Sequence, residues 1–241
     1  MLRSILWIVL ASAGAAATAQ PAPVSEWAAS VELLGARSEL GRTADRGQYG
    51  TGETIGTRID GAFDAPAEAD TSAAVGLSVE RRLLRWHLGL ATYWMFPVDW
   101  DIEVPLPSQQ TVFNTFTNVE RRMLLVRIGR HGQLRPNLSW HVTASVGPVE
   151  LRYDTEYIDR AVPGLRRERR EQREDSDTDL AWGLEFGLKH RLAERWTAGV
   201  SYRFLRSGDL EVAATASDTG RLTTELDDHQ LALSLSYRFR R

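Results

Sequence analysis

Three observations predict an all-β chain, an eight-stranded antiparallel up-and-down transmembrane barrel. Apolar and polar residues alternate with period two in eight segments, the connections between them alternate short and long, and an exportable leader precedes them. The pattern is clearest in the last segment, which sets Leu231, Leu233, Leu235, Tyr237 and Phe239 against Gln230, Ala232, Ser234, Ser236 and Arg238. Successive strand side chains point to opposite faces, so this segment separates an apolar environment from a polar one.

Composition narrows the class. The 241 residues carry a net charge of −3 and 25% charged side chains, which argues against nucleic acid as a partner. There is no cysteine, hence no disulfide, thiolate metal site or lipid-acceptor thiol. After residue 20 no apolar run approaches the ~20 residues of a membrane helix, whereas a barrel needs only alternate residues to face lipid. Arg3, the apolar run Ile5 to Ala11 and the small residues Ala17 to Ala19 read as a secretory signal, residues 1–19, with the barrel domain spanning 20–241. Export without cysteine fits a bacterial envelope.

The segments follow in order. Trp27, Ala29, Val31 and Leu33 oppose Ser30 and Glu32; Ala73, Val75, Leu77 and Val79 oppose Ala74, Gly76, Ser78 and Glu80. Trp86, Leu88, Leu90, Thr92, Trp94 and Phe96 oppose Arg85, His87, Gly89, Ala91 and Tyr93. The fourth segment sets Leu124, Val126 and Ile128 against Met123, Leu125 and Arg127, so both faces are partly apolar. The fifth sets Trp140, Val142, Ala144 and Val146 against Ser139, His141, Thr143 and Ser145; Pro148 then predicts a bulge that moves Val149, Leu151 and Tyr153 onto the lipid side. Leu180, Trp182, Leu184, Phe186 and Leu188 oppose Glu185 and Lys189, and Trp196, Ala198, Val200, Tyr202 and Phe204 oppose Thr197, Ser201 and Arg203.

Trp86 and Trp94 are eight residues apart, roughly 20 Å across the sheet at ~3.3 Å per residue and a tilt of about 40°, which matches two aromatic girdles. The predicted girdle residues are Trp27, Trp86, Trp94, Trp140, Trp182, Trp196, Tyr202, Tyr237 and Phe239. Connections at 81–84, 130–137 and 190–195 are short, and those at 38–70, 97–114, 154–178 and 207–223 are long and polar. Short periplasmic turns and long outside loops put both termini in the periplasm.

These features resemble the eight-stranded outer-membrane barrels of the OmpA and OmpX type, a likeness of pattern across nearly all the mature chain. The resemblance implies a Gram-negative outer-membrane location, contact with membrane lipid and lipopolysaccharide, and passage through the barrel assembly machinery. The alternating last strand looks like the assembly signal of such proteins, although Arg240 and Arg241 extend past Phe239.

The polar faces then line the lumen, where charges persist only when paired. An interior network of Glu32, Glu80, Arg85, Arg127, Glu185, Lys189, Arg203 and Arg238 is predicted to plug an eight-strand interior that side chains can fill. The expected role is non-enzymatic, structural or surface-interacting, with a small channel as an alternative. Arg166, Arg167, Arg169, Arg170 and Arg173 form a possible anion-binding loop, or else a solvated hairpin tip with cross-strand ion pairs. Asp99, Asp101, Asp227 and His229 resemble the acidic and Asp-x-His groups of omptin proteases, which implies an alternative hydrolase; a lipid A-modifying enzyme is a further one. The histidines show no zinc spacing, and no cofactor is expected.

Overall fold

A computed structural model describes residues 26–41, 44–45, 68–106, 111–159, 169–213 and 221–239. The predicted signal at 1–19 lies outside these. The described chain is a ring of eight long antiparallel strands: β1 Glu26–Leu40, β3 Glu68–Leu83, β4 Trp86–Leu106, β5 Thr111–Arg135, β6 Leu138–Asp159, β7 Arg169–Arg191, β8 Trp196–Ala213 and β9 Arg221–Phe239. Each pairs with the next, and β1 closes the ring on β9. A two-residue strand, β2 (Ala44–Asp45), adds to the outer end of β9. Closure leaves the membrane-spanning backbone no unpaired edge, as hydrocarbon requires.

The outer wall is apolar along a belt. Leu33, Leu77, Leu90, Leu124, Leu184 and Leu233 all face outward and are exposed, Leu33 at 59%. Trp27, Trp86, Trp140, Trp196, Tyr237 and Phe239 lie at the turn end of the belt, and Trp94, Trp182 and Tyr202 toward the loop end.

Strands run well past this belt. The expected loop at 97–114 is strand to Leu106 and again from Thr111, and most of 154–178 is a hairpin of β6 and β7. The segment 207–223 is strand to Ala213 and from Arg221. At the other end β5 continues to Arg135, so the turn expected over 130–137 is only Pro136 and Asn137. Of the glycines in the first outside loop, Gly41 hydrogen-bonds β9, and Gly47 to Gly61 lie outside the described residues.

The bulge predicted at Pro148 does not occur. Met123 pairs with Val149 and Val126 with Val146, one unchanged register on both sides, and β6 pairs β7 without interruption through Pro148 and Leu180. Val149, Leu151 and Tyr153 therefore keep the inward parity of His141 and Thr143 and are buried, Leu151 at 1%. Beyond the lipid belt the wall stands in water, so the dry side becomes the inside and the apolar residues change faces while the backbone does not.

Apart from an irregularity between Gln133 and Arg135 beside the β5–β6 turn, two bulges occur elsewhere, between Met95 and Val98 in β4 and between Arg206 and Asp209 in β8. At each, the ring opens. Pairing of β3 with β4 stops at Ala74 and Met95, and that of β7 with β8 stops at Trp182 and Arg206, although all four strands continue outward. The described wall above these points is two leaves, β3-β1-β9-β8 and the taller β4-β5-β6-β7. Gly208 supplies the turn in β8 with φ of +89°, a left-handed conformation that a side chain resists.

One aspartate spans each seam. Asp70 Oδ1 accepts the Thr71 amide at 2.6 Å and Oδ2 the Asp99 amide across the gap at 3.2 Å. Asp179 repeats this on Leu180 at 2.7 Å and Asp209 at 2.8 Å. Each clasp needs two acceptor oxygens, and asparagine offers one. Asp179→Asn should therefore raise amide exchange at Asp209 and its neighbours about tenfold, the loss of one charge-assisted bond of roughly 1.5 kcal/mol. Asp177→Asn, at a residue that accepts only the Thr178 amide, should leave β8 unchanged. Equal exchange at β8 in both variants would show that Asp179 clasps nothing.

Candidate functional site: a charged lumen beneath a two-leaved head

The lower lumen holds the charges. Glu32 on β1, Arg127 on β5, Glu185 on β7 and Arg203 on β8 share the inward parity of their strands, so all four converge on the axis. Arg127 donates to Glu32 at 2.8 Å and Glu185 at 3.0 Å. Arg203 donates to Glu32 at 2.7 Å and to Glu185 at 2.6 Å through Nη2. Two carboxylates and two guanidiniums thus form a closed ring of four contacts. Glu80 faces Arg127 and Lys189, each at 3.7 Å. Three acids (Glu32, Glu80, Glu185) meet three bases (Arg127, Arg203, Lys189), so the layer is neutral, the condition for burying charge in this setting. Tyr93 completes it, donating to Glu32 at 3.0 Å while the Arg203 guanidinium lies 4.4 Å from its ring centre. His141 contacts Glu185 at 2.8 Å and His87 contacts Thr143 at 2.9 Å.

Two of the predicted network residues stand apart from it. Arg85 is exposed in the turn between β3 and β4, because the hairpin places it past the last pair, Leu83 with Trp86. Arg238 faces inward at the turn-side rim, where it reaches Glu26 at 3.8 Å and the Glu194 carbonyl at 3.1 Å.

Gly76 makes room for Tyr93. The two are cross-strand partners, and a Cβ on Gly76 would stand 2.6 Å from Tyr93 Cδ1. Gly76→Ala should push the ring off Glu32 and Arg203 and cost about 1–3 kcal/mol of stability, read from denaturant unfolding in lipid vesicles. A change under about 0.5 kcal/mol would contradict this packing.

Above the charged layer the lumen is apolar. Leu34, Ala36, Met95, Met123, Leu125, Val149, Ala181, Leu205 and Ala232 are buried together, and Leu40, Trp100, Val119, Leu151, Leu210 and Leu226 belong to the same core. Gln230 marks the boundary, touching Arg203 at 3.5 Å and Met95 Sδ at 3.7 Å. Within this core lies one polar staple. Arg121 of the taller leaf donates to Asp228 at 2.6 Å and to Ser38 at 2.9 Å on the other leaf. Ser38 and Ser207 donate to Asp228 at 2.5 Å and 2.8 Å. Arg121 and Asp228 are 0% exposed.

The sequence reading missed this staple, although parity marks it: Arg121 is three inward positions from Arg127, and Asp228 is one from Gln230. Replacing Arg121 by Met strands a buried carboxylate and should cost about 3–5 kcal/mol. The double change R121M/D228L should recover at least half of that loss. Losses that simply add would contradict the pairing.

The candidate hydrolase residues do not share a face with this interior. Asp99 and Asp101 lie on the outward face of β4, where Asp99 accepts from Asn118 at 2.9 Å. Partial burial and then the Asp99 charge push the Asp101 carboxyl above its usual range. Asp227 and His229 lie outward on β9, in the other leaf, with β1 and β3 between them and β4. Burial raises the Asp227 carboxyl, against the pull of Arg206. His229 Nδ1 bonds the Tyr202 hydroxyl at 2.6 Å. Of the arginine loop, Arg166 and Arg167 lie outside the described residues and Arg169 begins β7. Arg170 faces Glu156 at 3.8 Å and Arg173 faces Glu171 at 3.9 Å. A groove of about 550 Å³ runs over the outer surface of β5, β6 and β7, lined by Asn118, Glu120, Glu150, Arg152 and Glu174 among others.

A closed eight-strand ring, an apolar outer belt and a filled lumen define an outer-membrane barrel. The profile described as "Outer membrane protein beta-barrel domain" matches residues 6–239, and the chain belongs to that family of bacterial outer-membrane proteins. Similar solved structures include Neisserial surface protein A, with 10% identity over 88% of this chain and 99% of that one at a TM-score of 0.41. The attachment invasion locus protein Ail of Yersinia pestis shares 12% identity over 89% and 99%, TM-score 0.40. OprG of Pseudomonas aeruginosa shares 10% over 88% and 96%, TM-score 0.46. No curated protein matches the sequence.

Proposed function

We propose that this barrel is a non-enzymatic, non-conducting scaffold that presents a rigid β-head on the cell surface. The observation that carries this reading is the doubly filled lumen: a neutral ring of buried ion pairs below and an apolar core with its Arg121–Asp228 staple above. An ion crossing it would have to displace paired charges and then enter hydrocarbon-like packing. The separation of Asp99 and Asp101 from Asp227 and His229 on different leaves supports a surface role over hydrolysis. The contacts of Arg170 and Arg173 support a structural hairpin rather than an anion receptor.

Reconstitution in planar bilayers tests the lumen directly. The expected trace is silent, and a stable open conductance would overturn the scaffold reading. Replacing Arg166, Arg167, Arg169, Arg170 and Arg173 by Gln should leave binding to lipopolysaccharide and heparin unchanged; a loss of binding would restore the loop as an anion site.

A further inference from the structure

We propose that the periplasmic rim is a binding surface for the anionic phosphodiester headgroups of the inner leaflet. The described residues at this rim include seven arginines, Arg81, Arg82, Arg85, Arg130, Arg135, Arg191 and Arg195, besides the inward Arg238, and two glutamates, Glu26 and Glu194. The whole chain carries a net −3, so this rim is opposite in sign to the molecule as a whole. Among the described residues toward the opposite rim, Arg122 sits beside Glu120 at 3.0 Å, Arg152 beside Glu150 at 2.7 Å and Arg206 beside Glu225 at 2.5 Å, so acids balance bases there.

Position makes this excess specific for lipid rather than for a soluble polyanion. The Arg81 guanidinium lies 5.8 Å from the Trp27 ring centre and that of Arg130 lies 5.3 Å from the Trp86 ring, while Arg195 donates to the Tyr237 hydroxyl at 3.0 Å. Those three rings belong to the aromatic girdle, whose amphipathic side chains sit at headgroup depth. Contact with the rings of Trp27 and Trp86 and with the Tyr237 hydroxyl holds these three cations at that depth, where the planar guanidinium meets phosphate oxygens two at a time. A zwitterionic headgroup offsets its phosphate with its own ammonium, so the surface should select net-anionic lipid.

The test uses the full chain folded in phosphatidylcholine vesicles, with its tryptophans quenched by brominated phosphatidylglycerol or brominated phosphatidylcholine. At low salt the anionic lipid should quench as if enriched about threefold or more around the protein, and 0.5 M salt should largely abolish the difference. R85Q/R130Q/R135Q/R191Q/R195Q, checked for folding by heat-modifiable gel migration, should lose the preference, and R122Q/R152Q on the other rim should keep it. Single R130Q and R195Q variants, each with a partial loss, serve if the quintuple variant does not fold. Equal quenching by both lipids in the unaltered protein would overturn the proposal. So would a preference that follows the outer-rim variant, or one abolished by soluble polyglutamate that itself binds the protein.

Discussion

Everything in this molecule depends on a strand's fixed two-sidedness meeting a solvent that changes along its length. Side-chain parity holds from one end of each strand to the other, while the outer surface passes from hydrocarbon to water. On β1 the outward residues run Trp27, Val31 and Leu33, then Arg37 and Glu39; the inward ones run Ser30 and Glu32, then Leu34, Ala36 and Leu40. β5 and β6 invert in the same way. Lipid outside allows a polar lumen, provided its charges are neutralised within it. Water outside demands an apolar one.

The two halves solve the same eight-strand filling problem with different chemistry. In the belt, long side chains of opposite charge fill the axis and satisfy one another, with Tyr93 and Arg203 stacked where Gly76 leaves space. In the head, two leaves face each other like a small sandwich, and the apolar core alone would leave their relative register loose. Arg121 and Asp228 fix it, since a buried pair with defined donors tolerates little sliding. At the sides, Asp70 and Asp179 give each seam a partner for amides that the ladder no longer serves. The repetition of bulge, gap and aspartate at β3-β4 and β7-β8 lets a closed cylinder become an open-sided head without exposing bare strand edges at the lipid boundary.

Much of this was legible in the sequence. The eight segments and the inward Glu32, Arg127, Glu185 and Arg203 follow from period-two alternation, because the lipid belt makes the contrast between faces large. What misled was the assumption of one environment per face. It turned the inversion on β6 into an imagined bulge at Pro148, and it hid Arg121 and Asp228 because a polar residue on an apolar inward face has no period of its own. Strand ends were misplaced for a related reason: Arg, Glu and Asp in 154–178 read as loop, yet above the membrane they are the wet face of a hairpin. Arg85 was lost to turn geometry, since one residue decides whether a side chain still belongs to a strand.

The most direct measurement of the central claim is a nitroxide scan along β6, convenient in a chain without cysteine. Outward positions 142, 144 and 146 should be accessible to oxygen, and 150, 152 and 154 to a water-soluble relaxation agent. Positions 149, 151 and 153 should be shielded from both. Oxygen access at 149 and 151, with 150 turned inward, would mean that the strand changes phase at Pro148 and that the environment does not invert.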